Sequence, residues 1–123
     1  MSLVSIDVRD KTPIYAQLER GLRAAMATSR LRPGDQLPTV RQLAVELKIN
    51  ANTVARVYAD LERSGAIETR RGVGSFVTAT AEKARPPKEH DKRLRAFVTR
   101  VLAEAGTNGF NVEEVIEGLK EEA

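Results

Sequence analysis

Residues 39–65 read TVRQLAVELKINANTVARVYADLERSG, and the spacing of apolar side chains in this stretch decides the fold. Thr39 suits a helix N-cap, and Leu43, Ala44 and Leu47 recur at helical spacing, so a short helix buries that face. After the three residues KIN, a second periodic run puts Val54, Val57, Tyr58 and Leu61 on one face and ends at Gly65. Two short helices joined by a tight turn, the second opening on small polar residues, form the pattern of a helix-turn-helix DNA reader. Each demand of that motif has a residue to meet it. Ala44 is small where the helices cross; Leu43, Leu47, Ile49, Val54 and Val57 supply inner bulk; Asn50, Asn52 and Thr53 offer hydrogen-bonding groups for base edges. Lys48 departs from the pattern. It stands where a glycine commonly relaxes the turn, at a cost of roughly 1 kcal/mol if held in a left-handed conformation.

Downstream of this motif, ETRRGVGSFV at residues 68–77 joins an arginine pair to a glycine-x-glycine. With Ile67, Thr69, Phe76 and Val77 as strand formers, it reads as a short hairpin. A dinucleotide fingerprint starting at Gly72 needs glycine at 77, where Val77 stands, and a phosphate-binding loop needs a Gly-Lys-Ser/Thr that does not follow. Both also need a helix after the glycines, whereas SFV is strand-like. The hairpin therefore reads as a turn that carries Arg70 and Arg71 at its tip, suited to a phosphate or a minor groove.

Upstream, KTPIYAQLERGLRAAMATS holds Ile14, Leu18, Leu22, Ala25 and Met26 at helical spacing. Thr12 is the expected cap and Pro13 the expected first helical residue. Tyr15, like Tyr58, falls on an apolar face and is expected in the core, its hydroxyl meeting a local partner. LRPGDQLP then supplies turn chemistry at Pro33-Gly34-Asp35. Past the hairpin, TATAEKARPPKEHDK is polar and broken by Pro86-Pro87, a linker or a loose helix start. Two amphipathic helices follow. Leu94, Phe97, Val98, Val101, Leu102 and Ala105 line the first, and Val112, Val115, Ile116 and Leu119 the second, with Asn111 as its cap. These stripes exceed what two helices can bury on each other, so their large residues, Ala105 aside, are expected to join two copies.

The run PIYAQL … LRPGDQLPTVRQLAVELKINANTVARVYADLERSGAIETRRGVGSFV resembles the N-terminal winged helix-turn-helix of the GntR family of bacterial transcription regulators. The resemblance covers about residues 10–78 and rests on PGDxLPTxRxLA, NxNTVxRxYxxLExxG and GxGxFV together. The short helical C-terminal part is similar to the YtrA-type subfamily, in which a two-helix appendage serves for dimerisation. The implied fold class is mainly α with a small β-hairpin wing: a winged helix-turn-helix at 1–78, then a linker and two-helix appendage at 79–123. The implied DNA contacts are Thr39 and Arg41 near the start of the second helix, Asn50, Asn52, Thr53 and Arg56 in the third, and Arg70, Arg71 and Gly72 at the wing. Ala51 stands where the family often has a basic side chain or proline. The resemblance implies a homodimeric, cytoplasmic, sequence-specific repressor that acts by operator occupancy on double-stranded DNA, often controlling its own operon and transporter genes. An interaction module that keeps the fold but binds protein is the alternative.

Composition and charge agree with this reading. Apolar residues make up 41% and charged residues 30% of the 123, as in a water-soluble globular chain. No apolar run approaches the roughly 18 residues needed to span a bilayer, and MSLVSIDVRD lacks the regions of a secretory signal. Without cysteine there are no disulfides, thiolate ligands or thiol nucleophiles. Residues 1–80 hold 12 Lys/Arg against 8 Asp/Glu, residues 81–103 hold 7 against 3, and residues 104–123 hold 1 against 6. The basic part suits a polyanion and the acidic tail does not. His90, the single histidine, sits among charged neighbours and reads as solvated; Glu113, Glu114 and Glu117 read as a wet helix face. No nucleophile, base and orienting group can be assembled, so no enzyme, metal or cofactor is expected. The two terminal helices offer little material for a ligand pocket within one subunit, which leaves the dimer interface to any small-molecule effector.

Overall fold

The computed structural model describes residues 3–78 and 87–123, and divides the chain into two compact units, Met1–Ala81 and Glu82–Ala123. The first contains α1 (Ile14–Ala27), α2 (Val40–Leu47), α3 (Ala51–Arg63), β1 (Ile67–Arg70) and β2 (Gly74–Val77); the second contains α4 (Pro87–Thr107) and α5 (Val112–Glu122).

The first unit closes on one core. Leu18, Leu22 and Ala25 of α1, Leu43 and Ala44 of α2, and Val54, Val57, Tyr58 and Leu61 of α3 are buried together with Val4, Leu31, Leu37, Ile67 and Val77. Each fully buried leucine or valine contributes roughly 1.5–3 kcal/mol. Tyr58 is inside, as expected, with its hydroxyl donating to the Pro38 carbonyl at 2.7 Å, and burial pushes its pKa up to about 12. Tyr15 is not. It is 39% exposed and outside the core cluster: it shares the stripe of Leu18 and Leu22 but sits in the first turn of α1, at the end of the helix.

The start of α1 also differs from expectation. Pro13 is the N-cap, without a side-chain capping bond, and its carbonyl accepts from the Ala16 and Gln17 N–H groups. Thr12 caps nothing: its N–H is taken by Asp10 Oδ1 at 2.9 Å, a bond that holds the Asp10 carboxyl below its ordinary pKa. Gln17 ties the preceding arm to α1, accepting from the Asp7 N–H and donating to the Asp7 and Thr12 carbonyls. The arm runs so close that a Cβ on Gly21 would lie 2.5 Å from a Val4 methyl.

β1 and β2 pair antiparallel, Ile67 opposite Val77 and Arg70 opposite Gly74. A third segment lies along β2, which the sequence pattern did not reveal. Gln36 bridges Phe76, the Gly34 N–H donates to Val77 O, the Val77 N–H to Asp35 O, and the Leu37 N–H to Ser75 O, at 2.8–2.9 Å. The turn residues 34–37 thus anchor the hairpin at its inner edge.

In the second unit α4 is longer than its apolar stripe, starting at Pro87, where a proline gives up no helical hydrogen bond. Of the polar stretch at 78–92, expected as a linker or a loose helix start, residues 79–86 lie outside the described residues and 87–92 belong to α4. α5 has a full capping box: Glu114 N–H donates to Asn111 Oδ1 at 2.9 Å and Asn111 N–H to Glu114 Oε1 at 3.1 Å. Glu114 is therefore more than part of a wet face. Ala105 is buried, Val101 and Val115 are half-buried, and Leu94, Phe97, Val98, Leu102, Val112, Ile116 and Leu119 are exposed. Phe110, between the helices, is exposed with them.

Candidate nucleic-acid interface

The first turn of α2 is fixed by a capping box. Gln42 N–H donates to Thr39 Oγ1 at 3.1 Å, and Thr39 N–H donates to Gln42 Oε1 at 2.9 Å. The Thr39 hydroxyl oxygen is thus engaged in holding the helix, while Arg41 two residues on is exposed. At the other end, Lys48 adopts φ 58°, ψ 45°, the left-handed conformation that the tight turn requires. Its N–H donates to Val45 O, and Ile49 N–H to Ala44 O at 3.0 Å, so the reversal satisfies two terminal carbonyls of α2.

That reversal sets the start of α3. Asn50 is the N-cap, its Oδ1 accepting from Asn52 N–H at 2.8 Å. Of the groups expected to read bases, Asn50 therefore has its oxygen committed locally and keeps only its amide N–H groups. Asn52 is exposed, its side chain in no hydrogen bond with a described residue, and Thr53 is half-buried beside it. One turn further, the Arg56 guanidinium lies 4.1 Å from the centroid of the Tyr15 ring.

At the wing, Gly72 has φ +77°, and a Cβ at this position would meet nothing within 4 Å, so the turn Arg71-Gly72-Val73 is open to solvent on that side. Arg70 and Arg71 separate here. Arg70 is paired with Glu68 at 2.9 Å and lies 4.3 Å over the Phe76 ring, because alternate strand residues Glu68 and Arg70 share one face with the register partner Phe76. Arg71 is exposed and makes no ion pair or hydrogen bond with a described residue. The arginine pair read from the sequence is thus one committed side chain and one available one. Gln36 braces the turn from behind, its Nε2 donating to Val73 O at 3.0 Å, and Gly74, φ +142°, leaves room for it where a Cβ would lie 2.5 Å from that nitrogen.

The first unit therefore exposes Arg41, Arg56 and Arg71, none ion-paired to a described residue, on α2, α3 and the wing turn. Such groups suit phosphates, and the exposed Asn52 amide suits a base edge. Sequence reasoning placed Tyr15 in the core and not against Arg56, and it did not single out Gln36 behind the wing. Both contacts join residues distant in sequence, which a local pattern does not report. His90 is half-buried on α4, beside Arg93, Leu94, Phe97 and Arg100. Among the described residues no group of three or more His, Cys, Asp or Glu could hold a metal, and no helix is long and apolar enough to cross a membrane.

Residues 14–77 match the family of bacterial regulatory proteins, gntR family. The chain is 38% identical over 108 residues to the HTH-type transcriptional regulator YhcF of Bacillus subtilis, covering 88% of each chain. It is 34% identical over 119 residues to the HTH-type transcriptional repressor YtrA of Bacillus subtilis, covering 97% of this chain and 91% of that one. Among solved structures it resembles YtrA from Sulfolobus acidocaldarius, a GntR-family transcription factor, with TM-score 0.61, 32% identity, and coverage of 83% of this chain and 99% of the other.

Proposed function

This chain belongs to the GntR family of bacterial regulatory proteins, and from that membership we propose a cytoplasmic, dimeric repressor that acts by occupying its operator. It is a DNA-binding transcription regulator with a winged helix-turn-helix. The observation that carries the reading of its surface is the set of exposed side chains Arg41, Arg56 and Arg71, with no ion pair to a described residue, beside the exposed Asn52 amide, in no hydrogen bond with one. α3 enters the major groove with Asn52 at a base edge, Arg41 and Arg56 meet the backbone, and Arg71 reaches a flanking phosphate or the adjacent minor groove. Asn50 and Thr39 act chiefly as caps that hold these groups in place, with Thr53 beside Asn52 and Gly72 letting the wing approach. Arg70 contributes charge to the wing but must leave Glu68 to touch DNA. The chain has no catalytic role.

The dimer forms through the second unit, where Leu94, Phe97, Val98, Leu102, Val112, Ile116 and Leu119 are exposed and Val101 and Val115 half-buried. A second copy of the same face is the partner of matching chemistry, and it links two reading heads for the two half-sites of an operator. A small-molecule effector, if one acts, binds at that interface.

The test uses a duplex enriched from a random pool by the wild-type chain, followed by anisotropy titrations at several salt concentrations. Asn52→Ala is expected to alter the preferred base at one operator position, costing roughly 1–3 kcal/mol on the enriched site. Arg71→Ala is expected to weaken all sequences about equally and lower the salt slope by about one per subunit. If Arg71 sits in a minor groove, the loss is greatest at A·T-rich flanks. A wild-type chain that enriches no duplex and binds DNA without salt dependence would mark a protein-binding module instead.

A further inference from the structure

We propose that Tyr15 is a positioning residue for DNA binding: its ring holds the Arg56 guanidinium where it meets a backbone phosphate. The inference rests on the regulator reading above and adds a residue to it. Tyr15 is 39% exposed at the start of α1, outside the core cluster, and its hydroxyl makes no hydrogen bond with a described residue. Its one directed contact is the face it offers to Arg56, 4.1 Å from ring centroid to guanidinium carbon. Arg56 in turn has no carboxylate partner among the described residues.

The two residues lie on helices whose backbones are fixed together by Leu18, Leu22, Val57 and Leu61, all fully buried. A tyrosine has two side-chain torsions, so on that scaffold its ring is a rigid platform. An arginine has a long flexible stem, and immobilising it at an interface costs binding energy. The ring contact restrains the stem before DNA arrives and leaves the guanidinium N–H groups, which no hydrogen bond to a described residue engages, free to donate. The same contact ties the side chain to α1. So restrained, it is assigned to the sugar-phosphate backbone, leaving the base edges to Asn52.

The experiment is a double-mutant cycle on the duplex enriched by the wild-type chain, read as affinity, salt slope and melting temperature. Tyr15→Leu is expected to weaken binding about 3- to 10-fold with the salt slope unchanged, because Arg56 still reaches its phosphate. Tyr15→Phe, which keeps the ring, is expected to stay within about 2-fold of the parent. Arg56→Ala is expected to lower the salt slope by about one per subunit. Added to Arg56→Ala, Tyr15→Leu is expected to do nothing more. A Tyr15→Leu protein that binds like the parent, a loss that persists in the Arg56→Ala background, or a failure of Tyr15→Phe to restore binding overturns the inference. Those outcomes leave the regulator reading standing; a parent chain that enriches no duplex overturns both.

Discussion

In the unit built from α1–α3 and the wing, Leu18, Leu22, Leu43, Val54, Val57, Leu61 and Ile67 are fully removed from water. In α4 and α5, Ala105 is the one buried residue among those described, and Leu94, Phe97, Val98, Leu102, Val112, Ile116 and Leu119 face outward. Both regions carry amphipathic helices with caps, so local signals do not separate them. What differs is the number of elements that share an apolar face. Three helices and a hairpin enclose a common centre, whereas two helices of 21 and 11 residues have more stripe than they can cover on each other. A region of the first kind is expected to be stable as a single chain. A region of the second kind is expected to depend on association, with a stability that varies with protein concentration.

The sharpest way to break this comparison is to charge the outward face. Phe97→Glu with Val101→Glu is expected to convert dimers to monomers in analytical ultracentrifugation. Operator affinity should fall by roughly 100-fold or more, since two linked reading heads gain that much from acting together. The double variant should keep the thermal transition of the first unit. Sedimentation as an unaltered dimer would remove the proposed interface.

The next effect is smaller and of the opposite kind. Leu61→Ala leaves a cavity in the closed core and is expected to cost roughly 2–5 kcal/mol. Its melting-temperature shift should be the same at low and high protein concentration. A shift that shrinks on concentrating the protein would mean that the first unit, too, leans on association.

The smallest effect concerns the turn between α2 and α3. Lys48 occupies a left-handed conformation, φ 58°, that glycine adopts without strain. Lys48→Gly is expected to leave stability unchanged or raise it by up to about 1 kcal/mol, the relief of strain offsetting glycine's larger unfolded-state entropy. A clear drop in melting temperature in a denaturation scan would show that Lys48 makes a compensating contact.

The core of the first unit was legible because helical periodicity reports burial directly. The buried residues of α3, Val54, Val57, Tyr58 and Leu61, are the four that the spacing picked out, and the caps at Thr39 and Asn111 follow from side-chain oxygens at the right offset. The left-handed Lys48 was legible too, since a three-residue connection between crossing helices leaves little choice of backbone path. The wing's pairing partner was not. Residues 34–37 bond to β2 through backbone groups, which leave no mark in a side-chain pattern.

The sequence by itself determined the inward face of α3, the caps of α2 and α5, the turn between α2 and α3, and which family the chain resembles, because these follow from spacing and local hydrogen bonding. Only the tertiary structure decided which of the polar surface residues are available. It commits Arg70 to Glu68 and Phe76 while leaving Arg71 without an ion pair to a described residue, engages the Asn50 oxygen while leaving the Asn52 side chain exposed, and sets the Arg56 guanidinium on the ring of Tyr15. Charge and chemistry are properties of a residue, whereas availability depends on neighbours that the fold brings from elsewhere in the chain.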